Sequence, residues 1–251
     1  MTIYNRDNYI LAESPLKKEL LKLFKKNDKL TILDIGGCEG EESIRYSRIF
    51  PFSSIYTFEP LLKNQKLVEE NIIKYKAGNI ELVPVAVSDE EGFSQFYISS
   101  GHPEDQPIDL DWDFGNKSSS LLPPKNTSLA SWLIFDKKIN VQTITLDSFF
   151  RQNKINEVDF VHMDVQGAEL KVLMGAKDAV KNIKTIWLEV ADIELYKNQP
   201  LRVDVENYMK KNDFQIVKSD VEGGFGDQFY INKNYFKIFS FFSRMFFFKI
   251  K

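Results

Sequence analysis

The residues best suited to move a proton lie in one apolar run, Val158-Asp-Phe-Val-His-Met-Asp164, where His162 and Asp164 stand two apart. A strand turns residues i and i+2 to the same face, so the run places an imidazole and a carboxylate together. An imidazole with a pKa of about 6.5 accepts a proton at neutral pH, and the carboxylate can orient the ring or act as the base itself. A buried structural histidine is the plainer reading of His162. The next apolar run, Thr185 to Leu188, ends in Glu189. Carboxylates at the ends of adjacent strands stand where open α/β sheets bind ligands. Asp164, His162 and Glu189 therefore suit acid–base work on a hydroxyl. Asp164 and Glu189 could instead hold a divalent cation against an acceptor diol, because Mg²⁺ favours oxygen ligands.

A second constellation precedes these. The apolar run Leu30 to Leu33 ends in Asp34-Ile-Gly36-Gly37-Cys38-Glu-Gly40, and an amphipathic segment follows. That order reads as strand, glycine turn and helix, with the helix offering free N–H groups and the glycines letting a ligand approach the main chain. Ile55 to Phe58 reads as another strand and ends in Glu59-Pro60. A carboxylate there accepts hydrogen bonds from both hydroxyls of a ribose, in NAD sites as elsewhere, so Glu59 indicates an adenosine ligand. Dinucleotide turns read G-x-G-x-x-G. Here an acid precedes the glycines as D-x-G-G-x-x-G, which is similar to the S-adenosylmethionine loop of class I methyltransferases. Ala86-Val87-Ser88 would form a slot for a flat purine. An NAD-dependent oxidoreductase and a purely structural turn are the competing readings.

Elements that would position these groups follow in chain order. Residues 1–29 begin irregularly; Ser14-Pro15 then opens a helix with Leu16, Leu20, Leu23 and Phe24 at helical spacing. Residues 61–76 read as a charged amphipathic helix with Leu62, Leu67, Ile72 and Ile73 inward, and Gly78-Asn79 ends it. A third strand is expected from Ile80 through Val87, then alternating strands at Phe93 to Ile98 and Ile139 to Ile144. Thr145 caps a short helix, and another carries Leu170, Leu173 and Val180 inward. Residues 201–212 form a helix, Phe214 to Lys218 a strand, Glu222 to Asp227 a flexible turn, and Gln228 to Asn232 a returning strand. Residues 99–138 break the pattern with four prolines, an acidic and aromatic run containing Asp111 and Trp112, and the serines Ser118, Ser119 and Ser120. A connection of that length is usually functional or disordered. Its aromatic faces and carboxylates suit a lid over a polyhydroxylated acceptor; a solvated loop is the alternative.

Composition narrows the class. A chain of 251 residues, 43% hydrophobic and 27% charged, buries one α/β domain with additions. One cysteine excludes an internal disulfide framework and a cysteine-based zinc site, and two histidines argue against a His-rich metal site. The N-terminal residues lack a secretory signal and no long uncharged span exists, so a cytoplasmic protein is expected. Net charge is −3, yet five basic residues and no acid follow Asp227, which leaves the body more acidic still. An acidic body argues against wrapping nucleic acid.

Six motifs in order, the Asp34–Gly40 loop, Phe58-Glu59-Pro60, Val85–Asp89, Thr143–Asp147, Asp159–Glu169 and Val172–Ala176, resemble the FkbM-like methyltransferase family over about residues 30–232. The resemblance implies a Rossmann-like class I α/β fold: a seven-stranded, mostly parallel sheet with an antiparallel closing hairpin and helices on both faces. It also implies S-adenosylmethionine as donor and O-methylation, often of sugar or natural-product hydroxyls. By position, Asp34, Gly36, Gly37 and Gly40 would hold the methionine portion, Glu59 the ribose, and Ala86 with Val87 the adenine. Asp164 and Glu169 match the family's acids, with Asp111, Trp112, Ser119 and Glu169 expected toward the acceptor. The chain departs from the pattern at Gln166, where the family usually has Glu, and at His162, where it often has Lys.

The tail, residues 233–251, lies beyond the resemblance and holds eight aromatics. As a helix it would align Lys237, Ser240, Arg244 and Lys251 on one stripe, suiting an amphipathic segment on the inner face of an anionic membrane. Docking on its own domain, on a second copy or on a biosynthetic partner is the alternative. The leading reading is a sugar O-methyltransferase; a secondary-metabolite O-methyltransferase and a non-catalytic scaffold compete with it.

Overall fold

The computed structural model describes residues 5–107, 111–125 and 131–236. The expected tail helix over 237–251 lies outside the described residues, as does Asp109 of the acidic run. The main sheet is built from β1 (Thr31–Ile35), β2 (Ser54–Phe58), β3 (Ile80–Val83), β7 (Val158–Met163), β8 (Ile183–Ala191), β9 (Phe214–Glu222) and β10 (Phe225–Asn232). Its order is β3-β2-β1-β7-β8-β10-β9. β3 through β8 are parallel, and β10 pairs antiparallel with both β8 and β9. A three-stranded sheet stands beside it, ordered β4-β6-β5, from β4 (Ala86–Val87), β5 (Gly92–Ser100) and β6 (Ile134–Ile144).

Helices cover both faces of the main sheet. α1 (Arg6–Leu11), α2 (Lys17–Leu23) and α3 (Glu41–Ile49) pack on one face, where Ile10, Leu20 and Ile44 meet Ile32, Phe160, Trp187 and Phe229. α5 (Leu146–Asn153), α6 (Glu169–Gly175) and α7 (Arg202–Lys211) cover the other, over Leu33, Ile35, Val161, Met163 and Leu188. Strands buried on both faces read as continuous apolar runs, and each large aliphatic side chain removed from water contributes about 1.5–3 kcal/mol.

The strand period then places the polar groups. Asp34 follows Ile32 by two, His162 follows Phe160, Glu189 follows Trp187, and Asp227 precedes Phe229 on the antiparallel β10. All four therefore rise from one face of the sheet, above the apolar layer that anchors α1 to α3.

Several elements differ from expectation. α1 is a helix, capped by the Asn5 side chain, where an irregular start was expected. α2 begins at Lys17, with the Ser14 hydroxyl accepting the Leu16 N–H at 3.3 Å. The strand expected from Ile80 through Val87 breaks at Pro84, which has no N–H for a ladder; β3 stays in the main sheet while β4 pairs with β6. α4 (Leu62–Lys74) buries Asn64, Val68 and Asn71 and exposes Leu62 and Ile73. Its inner face mixes Val68 and Ile72 with two asparagines because it backs the glycine turn: Asn71 Nδ2 donates to the Glu39 carbonyl at 2.8 Å. Residues 99–100 and 134–138 belong to strands. Gly223 and Gly224, both with positive φ, make the hairpin turn, so Gly226 and Asp227 lie in β10.

Candidate active site

The glycine turn is held by contacts that leave no room for side chains. Gly36 has φ +87°, and a Cβ there would fall 1.9 Å from the Asp164 carbonyl oxygen; a Cβ on Gly37 would fall 2.2 Å from Thr57 Cγ2. Gly36 and Gly37 N–H both donate to the Phe58 carbonyl, at 3.1 and 3.0 Å, and Gly40 N–H donates to Gly37 O at 2.6 Å. These three N–H groups are therefore satisfied within the protein, and the turn serves a ligand by close approach rather than by free donors. Gly40 caps α3 with φ +83° against Val68 and does not line the cleft.

Above the turn opens a cleft of about 950 Å³ including its mouth. Asp34, Gly36, Gly37, Glu59, Ala86 and Val87 line it, and so do His162, Asp164, Trp112 and Ser119. Glu59 is 4% exposed and accepts the Leu61 N–H at 2.7 Å. Burial pushes its carboxyl up to about 8 against the hydrogen bonds of Leu61, Asn64 and Cys38. A buried acceptor beside an apolar slot formed by Leu61, Ala86 and Phe96 fits the ribose and adenine of an adenosine ligand.

His162 does not pair with Asp164. The β1–β7 register sets Asp34 beside His162, and Nδ1 of the ring lies 2.8 Å from Asp34 Oδ1. Asp34 Oδ2 accepts the Ser43 hydroxyl at 2.6 Å, and the Tyr46 ring packs edge-on against the imidazole. Burial opposes charge on His162, but the hydrogen bond and field of Asp34 outweigh it and lift the ring to about 9. The imidazole is thus protonated at neutral pH, which corrects the expectation that it accepts a proton there.

Asp164 keeps company with other acids. Its carboxylate, Glu169 and Glu189 each offer an oxygen within 4.8 Å of the others. Gln166 enters this group from the turn after β7, with φ +54°, and its Nε2 donates to Asp164 Oδ1 at 2.7 Å and to Glu189 Oε2 at 3.2 Å. Glu169 Oε1 accepts the N–H groups of Val165 and Gly167, at 3.1 and 3.2 Å, so it secures that turn rather than reaching the cleft. Burial raises Asp164 above the usual carboxylate range, partly offset by Gln166 and His162. Burial, followed by the fields of Asp164, Glu169 and Asp227, raises Glu189 well above its usual range. Asp227, directly opposite Glu189 across β8–β10, is lifted to about 6, first by burial and then by Asp164.

The irregular segment and α1 form the outer wall. Lys117 Nζ bonds Glu41 Oε1 at 2.6 Å and sits 4.2 Å from the centre of the Trp112 ring. Asn116 Nδ2 donates to Glu39 Oε1 and Asn64 Oδ1, at 3.0 and 2.8 Å. Ser119 Oγ accepts the Ser99 N–H at 3.0 Å, tying the segment to β5. Asp111 lies off the cleft, in an ion pair with Arg6 at 2.8 Å. Tyr9 of α1 lines the cleft, packs on Trp112 with centroids 5.0 Å apart, and bonds Glu42 at 2.5 Å. Tyr9, Asn116 and Lys117 carry no signal in strand or helix periodicity, and the turn expected over Glu222 to Asp227 conceals Asp227, which lies in β10.

Sheet order, closing hairpin and the position of the cleft at the carboxyl ends of β1 and β2 are those of a Rossmann-like class I methyltransferase. Residues 34–216 match the family described as the Methyltransferase FkbM domain, and the chain belongs to that family. It is a methyltransferase dependent on S-adenosylmethionine. The chain is 33% identical over 212 residues to the 2-O-methyltransferase NoeI of Sinorhizobium fredii, covering 84% of this chain and 82% of that one. It is 22% identical over 206 residues to the AMB antimetabolite synthetase AmbE of Pseudomonas aeruginosa, covering 76% of this chain and 9% of AmbE. Its fold matches the crystal structure of a methyltransferase FkbM from Methylobacillus flagellatus KT with a TM-score of 0.52 and 16% identity. That match covers 90% of this chain, which spans half the length of the Methylobacillus one.

Proposed function

We propose that the protein transfers a methyl group to a hydroxyl of a carbohydrate acceptor, with Asp164 as the group that takes the hydroxyl proton. One observation carries this reading: the Asp164 main chain abuts Gly36 so closely that the cofactor turn and the carboxylate form one rigid unit lining one cleft. The named relative NoeI, a 2-O-methyltransferase, supports hydroxyl as the acceptor group.

The cofactor, when bound, supplies an electrophilic methyl group, and the acceptor oxygen must approach it in line. Glu59 would hold the ribose and the Ala86–Val87 edge the adenine. Gln166 fixes Asp164 through Oδ1, leaving Oδ2 for the acceptor hydroxyl. A carboxylate raised above its usual range by burial is a better proton acceptor near neutrality than an exposed one. His162, protonated against Asp34, holds the floor and takes no proton. Trp112 lines the same cleft, its ring held by Tyr9, Phe114 and Lys117.

The carboxylate trio is read as working without a divalent cation. Gln166 already places a donor between Asp164 and Glu189, and Glu169 is committed to main-chain N–H groups. Among the described residues no helix is long and apolar enough to cross a membrane.

The test is incubation with methyl-labelled S-adenosylmethionine and a panel of neutral oligosaccharides, followed by mass spectrometry. Addition of one labelled methyl to a sugar hydroxyl is the expected result. Cofactor binding with transfer only to non-carbohydrate hydroxyls would replace the sugar by a small metabolite, and no transfer to any hydroxyl would overturn the proposal.

A further inference from the structure

A second, open cavity, of about 740 Å³ including its mouth, lies across α1 from the cofactor cleft. Tyr9 faces the first cavity, while Leu11, two residues on and so across the helix, lines the second. Four cationic side chains, Lys17, Lys26, Arg45 and Arg48, line it against one carboxylate, Glu13. Glu13 pairs with Lys17 and Glu42 with Arg45, so among the described residues Lys26 and Arg48 are the two lining cations without an ion pair. Arg45, 5% exposed, gives one nitrogen to Glu42 Oε1 and another to the Glu13 carbonyl, both at 2.6 Å. Its Nε is a buried nitrogen without a hydrogen-bond partner. Arg48 gives one nitrogen to the Ile10 carbonyl and is otherwise exposed. A concave site with this surplus of flexible and planar donors selects a small anion with several oxygens.

The surroundings indicate where that anion comes from. The described chain ends at Phe236, whose ring packs edge-on against Phe24 with centroids 6.3 Å apart. Phe24 also packs on Phe50, next to Ile49 of the cavity wall, and Lys26 lies two residues beyond it. The described chain therefore ends two ring contacts from the cavity wall, and residues 237–251 follow it in sequence. That segment contains six phenylalanines, four basic residues and no acid. Having the same sign of charge as the cavity, it is not the occupant. One partner satisfies both: a surface that offers anionic oxygens to the cavity and apolar depth to the phenylalanines.

We propose that this cavity binds the phosphate of an anionic lipid headgroup, setting the α2 side of the protein against a membrane surface. The inference stands independently of the acceptor, since none of the cavity's cationic side chains lines the cofactor cleft.

The experiment uses the full chain in co-sedimentation with vesicles of phosphatidylcholine alone or mixed with phosphatidylglycerol. Binding is expected only to the anionic vesicles. Lys17→Glu combined with Lys26→Glu should weaken it by roughly 10-fold or more, with cofactor affinity unchanged. Arg48→Gln, read separately, should weaken it in the same direction and guards against misfolding of the double variant. Wild-type affinity retained in these variants would mean that the tail alone carries binding and would sink the proposal. So would protection from heat by inorganic phosphate, lost in the same variants, from a protein that ignores vesicles; the site would then serve a soluble phosphate.

Discussion

Gln166 Nε2 donates to Asp164 Oδ1 at 2.7 Å, while its Oε1 accepts from the Tyr196 hydroxyl at 3.0 Å. The Tyr196 oxygen also lies 2.7 Å from the Ser118 carbonyl, in the segment over the cleft. Both ends of the amide are therefore specified, and the donor end faces two carboxylates. Gln166→Glu keeps the shape but removes the donor and adds a fourth acid to the group. Asp164 should then hold its proton to higher pH, so the acid limb of the rate profile moves up by about one unit or more. Turnover at neutral pH should fall roughly 10-fold. Wild-type turnover should survive exhaustive chelation, whereas the variant, now lined by acids alone, should become Mg²⁺-responsive. A pH–rate series with and without metal checks both statements.

The His162–Asp34 contact predicts how stability changes with pH. The ring's folded pKa, about 9, exceeds its unfolded value of about 6.5. Its contribution is therefore complete below about 6.5 and is lost as pH rises through about 9. The gain is at most a few kcal/mol by linkage for a shift of this size. Relative to His162→Gln, the wild-type protein should melt several degrees higher at pH 6, and the gap should narrow by pH 10. Melting curves of the two proteins across that range make the comparison; a constant gap would contradict the pairing.

Glu59 offers a cleaner reading of the cofactor site. Its carboxylate is buried at the end of β2 and has only main-chain and Asn64 donors of its own. Two ribose hydroxyls would complete it, and Glu59→Gln turns one of its two oxygens into a donor, so the substitution should weaken cofactor binding by about 10-fold or more, as expected for a hydroxyl left without its acceptor. Calorimetry with S-adenosylmethionine measures this directly, and it should leave the fold intact because the amide is isosteric.

What could be read from the chain beforehand follows a physical pattern. Asp34, Glu59 and Asp164 each stand at or beside the end of a parallel strand and line the cleft, whereas Glu189, expected at a strand end, lies inside β8 two residues before its end and off the cleft. His162 was placed on the correct face, but its partner was not, because pairing depends on which strands become neighbours and in what register. Asp34 lies 128 residues away in sequence. Asp227 was missed because Gly226 resembled turn chemistry, whereas its φ of +148° is carried inside a strand. Of the residues expected inward on α4, Ile72 packs against the core while Leu62 and Ile73 are exposed, because Asn64 and Asn71 take inner positions toward the glycine turn, which no hydrophobic period announces. Tyr9 belongs to a short helix, α1, whose Ile10 packs into the core while Tyr9 lines the cleft wall, and six residues are too few to show a helical period.

Gly36 joins the two halves of the site, and its replacement tests that junction. A Cβ at this position meets the Asp164 carbonyl at 1.9 Å, a main-chain atom fixed in β7's continuation by the Asp164 N–H bond to Ile35 O at 3.0 Å. The residue also sits at φ +87°, where a side chain is strained regardless of space. Gly36→Ala must therefore push the cofactor turn and the Asp164 strand end apart. Overpacking and backbone strain together should cost about 2–4 kcal/mol of stability. The loss of turnover should exceed what weaker cofactor binding explains, because the carboxylate moves relative to the methyl group, and misplacement of about 1 Å can cost 100-fold in rate. Gly78→Ala, where no atom lies within 4 Å, is the matched control and should change neither quantity. Denaturant melts together with kcat at saturating cofactor separate the two effects. Unchanged kcat in Gly36→Ala would mean that turn and base are not the single unit the main-chain contact implies.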